Sequence, residues 1–324
     1  MQRQLPKALQ AGDCVAVIAP ASAARDADAF ARGLQRLRGW GLTPEVFANA
    51  SASGSDAGLG WPEGSTLAAA DDARLADLQR ALDEPQYRAI FCVRGGYGTS
   101  RILPRIDWTR FRQDPKPIIG YSDITALLAA AWRETATVSF HGPMVATADS
   151  MDAGDACWQL QRDLTMDAST VTALAEGSEP ATTLRQGTAE GHLVGGNLAV
   201  LQSLIGTRWQ TETAGAILFL EDVGEAPYRV DRMLTQLDQC GFLSRAAGIA
   251  LGDFHVANTQ LASEHPPMLD VLKERLAHLA IPIAHGFPYG HRPGSWTLPF
   301  GAAARLTAPH KGTATLEFLG PSVR

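Results

Sequence analysis

Cysteine is scarce in this sequence: Cys14, Cys92, Cys157 and Cys240 are the only four in 324 residues, and they lie far apart. That spacing excludes a Cys-x-x-Cys redox or metal motif, and the apolar, strand-like surroundings of Cys14 and Cys92 suit a small hydrophobe better than a ligand. Reduced thiols are expected. No His-Glu-x-x-His pair occurs and the eight histidines are scattered without ligand spacing, so neither a metal nor a cofactor is expected. No Lys/Arg cluster stands out among 28 basic and 34 acidic residues, whose formal balance is −6. Neutralising phosphates dominates nucleic-acid binding, so nucleic acid is excluded as a partner. No apolar run approaches the length of a membrane-spanning helix. The first residues, Met1 to Lys7, lack the charged start, apolar middle and small-residue cleavage site of a signal peptide. A soluble, cytoplasmic chain with no membrane partner is expected.

What is present is enough apolar sequence, 45% of the residues, for sizeable cores in two domains. Residues 14–19 form a short apolar run closed by Pro20-Ala21-Ser22, followed by a helical pattern over 28–40 and a strand over 43–48. This βαβ opening marks an open α/β sheet. After a Ser/Gly-rich loop at 51–66 and a helix over 68–82, the strand at 89–93 ends in Arg94-Gly95-Gly96-Tyr97-Gly98. Such a turn lets the backbone approach a ligand. It is neither a Walker A loop nor a Gly-x-Gly-x-x-Gly fingerprint. The expected architecture is α/β: an N-terminal open, mostly parallel nucleophile domain over 1–150, a linker over 151–187, and a smaller β-rich, barrel-like α+β domain over 188–324.

Three residues sit at the ends of strand-like runs: Ser122, Glu221 and His291. Ser122 stands where Pro117-Ile118-Ile119-Gly120-Tyr121 turns into a helical pattern, so it either caps that helix or projects its hydroxyl outward beside the following N–H groups. A hydrolytic serine needs an imidazole to take its proton, and the imidazole needs an acceptor on its other nitrogen. Asp222 and Glu225 compete with Glu221 as the acid, and His141 and His285 compete with His291 as the base.

Together the motifs resemble those of the LD-carboxypeptidases, the serine peptidase family that includes muramoyltetrapeptide carboxypeptidases and microcin C immunity hydrolases. The matching segments are Val17 to Ser22, Val93 to Gly98, Ile119 to Asp123, Leu218 to Asp222, Tyr228 to Leu234, and Gly290-His291 followed by Leu298 to Gly301. The resemblance implies Ser122 as nucleophile, His291 as general base and Glu221 as its orienting acid. It also implies an oxyanion hole from the backbone N–H groups of Asp123 and Gly96, and a homodimer. The expected reaction is release of the terminal D-alanine from a murein tetrapeptide in peptidoglycan recycling. An exopeptidase must hold a free carboxylate, for which Arg94, Arg229 and Arg232, with Arg101 and Arg292, are candidates, as Tyr97 is for substrate contact. The alternatives are a hydrolase of peptidyl-nucleotide antibiotics and a non-catalytic module binding muropeptides or phosphate.

Overall fold

The computed structural model describes residues 3–50, 67–147, 156–169, 173–174, 180–255 and 266–324. The Ser/Gly-rich loop at 51–66 lies outside them. The chain forms two compact units, Met1–Thr170 with Pro293–Pro299 and Pro321–Arg324, and Val171–Arg292 with Phe300–Gly320.

In the first unit, strands β1 (Cys14–Ile18), β2 (Thr43–Val46), β3 (Tyr87–Cys92), β4 (Ile118–Gly120) and β5 (Ser139–His141) pair in parallel, and the late strand β12 (Leu298–Phe300) completes the order β12-β5-β4-β3-β1-β2. A parallel sheet is covered on both faces, which is why its strands read as unbroken apolar runs. Val15 to Ile18, Ile90, Cys92, Ile118 and Ile119 are all fully buried. Helices α1 (Ala27–Gly39) and α2 (Asp71–Asp83) make the crossovers. Asp26 caps α1 by accepting from the Asp28 and Ala29 N–H groups, each at 2.9 Å. The short α3 (Thr99–Ile102) and α4 (Thr109–Gln113) precede β4, and α5 (Thr125–Thr135) and α6 (Ala156–Met166) follow it. The glycine-rich loop leaves β3 at its carboxyl end and the Ser122 turn leaves β4 at the same end, where ligands of open α/β sheets gather.

The second unit is an eight-stranded mixed sheet curled into a half-barrel. Its strands are β6 (Ala173–Leu174), β7 (Thr182–Arg185), β8 (Gly187–Asn197), β9 (Ile217–Val223), β10 (Gly248–His255), β11 (Ile283–His285), β13 (Ala303–Ala308) and β14 (Thr315–Phe318). Strand β8 changes partner midway: Gly187 to His192 run antiparallel to β13, and Leu193 to Asn197 run parallel to β9. That switch bends the sheet. Gly195 and Gly196 pair within the strand, and Asn197 caps α7 (Leu198–Ser203), accepting from the Val200 N–H at 3.2 Å. Helices α8 (Pro227–Gln239) and α9 (Met268–Leu276) bury their apolar stripes, Val230, Leu234, Leu237, Leu272 and Leu276, in one core with Leu218 and Leu220 of β9.

Candidate active site

The candidate nucleophile stands on the turn from β4 into α5. Tyr121 is extended, and Ser122 then takes φ +63°, a left-handed conformation shared by only one other non-glycine among the described residues, Ala136. Such a conformation costs about 1–3 kcal/mol and persists where packing over-determines it. Gly120 supplies part of that packing, since a β-carbon there would stand 2.7 Å from Ile124 Cγ2. From Ile118 to Ala131 every residue is buried except Ser122, which is half-buried. Neither the 3₁₀ turn Ser122–Ile124 nor α5 receives a side-chain cap, so the serine is not the helix cap that the sequence also allowed.

The glycine-rich loop closes on this turn. Asp123, 8% exposed, accepts a hydrogen bond from the Thr99 N–H at 2.8 Å, tying the start of α3 to the residue after Ser122. Gly95 packs on the serine itself: a β-carbon there would lie 2.7 Å from Ser122 Cβ and 3.2 Å from the Asp123 nitrogen. Gly96, at φ +111°, faces Ser22 Oγ and Arg94 Nη1 instead. Tyr97 projects beside the loop, 42% exposed.

One residue the sequence reading passed over organises this region. Arg74, fully buried, donates to the carbonyl oxygens of Pro20, of Ala69 at 3.1 Å and of Gly98 at 3.0 Å, and pairs with Asp71 at 2.5 Å. It stitches the loop after β1 to the loop after β3. The available signal was a cation near the start of a helix, against the helix dipole, where Asp71 and Asp72 are the expected residues.

The candidate acid and base lie within the other unit. Glu221 does not leave its strand into solvent; it sits inside β9, fully buried, and His291 Nδ1 lies 2.7 Å from its Oε2. A carboxylate can only accept, so Nδ1 carries the proton and the lone pair is left on Nε2. Gly290, at φ +108°, makes the approach possible, because a β-carbon there would stand 2.9 Å from both Cβ and Oε2 of Glu221. Burial pushes the His291 pKa down, but the Glu221 hydrogen bond and charge, with Asp222 and Asp253 behind it, outweigh that and raise it above the ordinary value.

The competing acids have other work. Asp222 accepts from the Ala199 N–H at 2.9 Å and from its neighbour Val223 at 2.7 Å, and burial, with the Glu221 charge adding to it, lifts its pKa to about 6. Glu225 pairs with Arg229 at 3.5 Å. Among the competing bases, His141 is buried edge-on to Tyr121, and His285 is half-buried, its pKa lowered by burial and by Lys273. Of the arginines, Arg101 is held by Asp71 at 2.8 Å and Arg232 lies over the Tyr228 ring, 5.4 Å from its centroid. Among the described residues no group of three or more His, Cys, Asp or Glu is gathered that could hold a metal ion.

Comparison with known proteins identifies the family. Residues 15–142 match the LD-carboxypeptidase N-terminal domain and residues 190–306 the LD-carboxypeptidase C-terminal domain. The chain is 38% identical to the "Probable murein peptide carboxypeptidase" of Bacillus subtilis, covering 96% of this chain and 94% of that protein. It is 35% identical to the "Murein tetrapeptide carboxypeptidase" of Pseudomonas aeruginosa, covering 74% of this chain and 79% of that protein. The solved microcin C7 self immunity protein MccF shares the fold, with a TM-score of 0.84 at 22% identity over 99% of this chain and all of that one. With both domain models matched in order and relatives aligned along nearly its whole length, the chain belongs to the LD-carboxypeptidase family, peptidase family S66, and is a serine-type carboxypeptidase.

Proposed function

We propose that this carboxypeptidase releases the C-terminal D-alanine from murein tetrapeptides, with Ser122 as nucleophile, His291 as general base and acid, and Glu221 as the group that orients it. The observation that carries the substrate is the pair of relatives, 38% and 35% identical, named for murein peptides and murein tetrapeptides. The chemistry is supported by a serine at φ +63° that caps no helix and by an imidazole held through Nδ1 on a buried carboxylate.

In the proposed reaction, Ser122 Oγ attacks the carbonyl carbon at the L-centre of the diamino acid while His291 Nε2 takes its proton. The oxyanion is met by the backbone N–H groups of Asp123 and Gly96. Collapse breaks the carbon–nitrogen bond, and His291 returns the proton to the departing D-alanine amine. Water, deprotonated by the same nitrogen, then cleaves the ester and restores the serine. Arg94 and Tyr97 are proposed to meet the substrate; the contacts of Arg229 with Glu225 and of Arg232 with Tyr228 weigh against those two as carboxylate readers. The role in peptidoglycan recycling, the cytoplasmic location and the homodimer belong to the same proposal and rest on the family resemblance.

Mass spectrometry of a murein tetrapeptide incubated with wild type and with Ser122→Ala, a chelator present in both, tests this. Loss of one alanine by wild type alone is expected. An intact tetrapeptide after incubation with folded wild type overturns the proposal, and cleavage of a peptidyl-nucleotide by the same sample would replace it.

A further inference from the structure

Arg94 is an arginine without a hydrogen-bond acceptor among the described residues. Its Nη1 is buried, and among the described residues no carbonyl, hydroxyl or carboxylate hydrogen-bonds to its guanidinium. Burial and, after it, the neighbouring Arg25 cation hold the Arg94 pKa below the usual arginine range. A buried Nη1 without an acceptor, on a half-buried guanidinium beside a like charge, describes a site short of an anion.

A second side chain points to the same spot. Ser22 is 1% exposed, yet its Oγ is also without a partner. A β-carbon on Gly96 would collide with Ser22 Oγ and stand 3.6 Å from Arg94 Nη1, so both groups converge on the bare face of that glycine. The next glycine toward the N-terminus, Gly95, is the one packed on Ser122. Gly95 and Gly96 are consecutive, so the unsatisfied donors face the loop that packs on the nucleophile's turn.

We propose that Arg94, with the Ser22 hydroxyl as a second donor on the same face of Gly96, takes the free α-carboxylate of the substrate's C-terminal residue. This rests on the carboxypeptidase reading of the same site. The α-carboxylate is three bonds from the carbonyl carbon under attack, so its reader must stand on an element touching the nucleophile, and residue 94 adjoins Gly95. A planar guanidinium also matches a carboxylate with two parallel hydrogen bonds. Of the other candidate arginines, Arg101 is engaged by Asp71, Arg229 by Glu225 and Arg232 by the Tyr228 ring, while Arg292 belongs to the other unit, where its charge acts on Asp253.

The test compares calorimetric affinities of Ser122→Ala for a murein tetrapeptide and for its C-terminal amide, then repeats them with Arg94→Met, Arg94→Lys and Ser22→Ala added. The parent is expected to prefer the free acid by roughly 10- to 100-fold, the range of a charged hydrogen bond. Arg94→Met should bring the ratio close to one, Arg94→Lys should leave it intermediate, and Ser22→Ala should lower it several-fold. Arg94→Met should melt no lower than the parent, since the arginine holds no protein acceptor. Equal affinity for acid and amide in the parent, no binding of either, an unchanged ratio in Arg94→Met, or its failure to fold would each overturn the proposal. Failure of wild type to cut the tetrapeptide would sink the proposed function separately, and the acid-to-amide ratio would still decide Arg94.

Discussion

His291 Nδ1 stands 2.7 Å from Glu221 Oε2, with Glu221 fully buried on β9. The bond fixes which imidazole nitrogen can take a proton and sets the pH at which it can do so.

The first prediction concerns that pH. Burial opposes the protonated ring, but Glu221 overcomes it and the His291 pKa lies above the ordinary histidine value of about 6.5. As the proposed base, His291 works only when deprotonated, so kcat/KM should rise with pH through a midpoint above that value. Glu221→Gln should move the midpoint down and lower the plateau by about 10³–10⁴-fold, the size of effect seen when a triad acid is neutralised. The stability this pair contributes is fully present below the unfolded pKa and is lost as pH rises through the raised folded one. Melting curves of wild type and Glu221→Gln across pH 5–9 measure it; parallel curves would contradict it.

Ser122 at φ +63° predicts an unusual pair of outcomes. Ser122→Gly relieves the left-handed strain and should raise stability by about 1 kcal/mol, while Ser122→Ala keeps the strain and should leave stability nearly unchanged. Both should abolish turnover. Denaturant melts beside activity assays separate strain from chemistry.

Gly290→Ala should be costly to both fold and function, because its β-carbon would press on Glu221 from a conformation that L-residues rarely adopt. A loss of about 2–4 kcal/mol is expected, the range for overpacking combined with backbone strain. Gly95→Ala should show the complementary pattern, with less damage to stability and a kcat at least about 10²-fold lower, since its collision is with Ser122 itself.

Asp222, with a pKa of about 6 in the folded protein, makes a separate pH signature. The folded state holds this proton more tightly than the unfolded chain, so stability should fall as pH rises from about 4 to about 6, by at most roughly 3 kcal/mol. Asp222→Asn retains an oxygen for the Ala199 N–H and should flatten that slope. Urea denaturation at a series of pH values reads it directly.

Much of the first unit was legible because parallel strands are written as apolar runs: the expectations at 14–19 and 89–93 fall on β1 and β3 within a residue or two. Ser122, Glu221 and His291 stood out because each ends or interrupts such a run beside a glycine or an acid. The long strand β8 is not legible past Val194, because two glycines and an asparagine resemble a turn, whereas here the strand continues beside a new neighbour. Strand β12 was expected in the β-rich tail, and its pairing beside β5 depends on a contact more than a hundred residues distant in sequence, which no local pattern records. Arg74 was hidden because a charged residue in a polar helix face reads as solvent-exposed, and only the three carbonyl oxygens around it show otherwise.

That same arginine constrains how the protein could be altered. Replacing Arg74 would strand the carbonyls of Pro20, Ala69 and Gly98 at once. The loops it joins therefore depend on one another. A specificity transplant that brought in a relative's glycine-rich loop alone would arrive without its fastening, and the exchange would have to include the start of α2 together with the turn after β1.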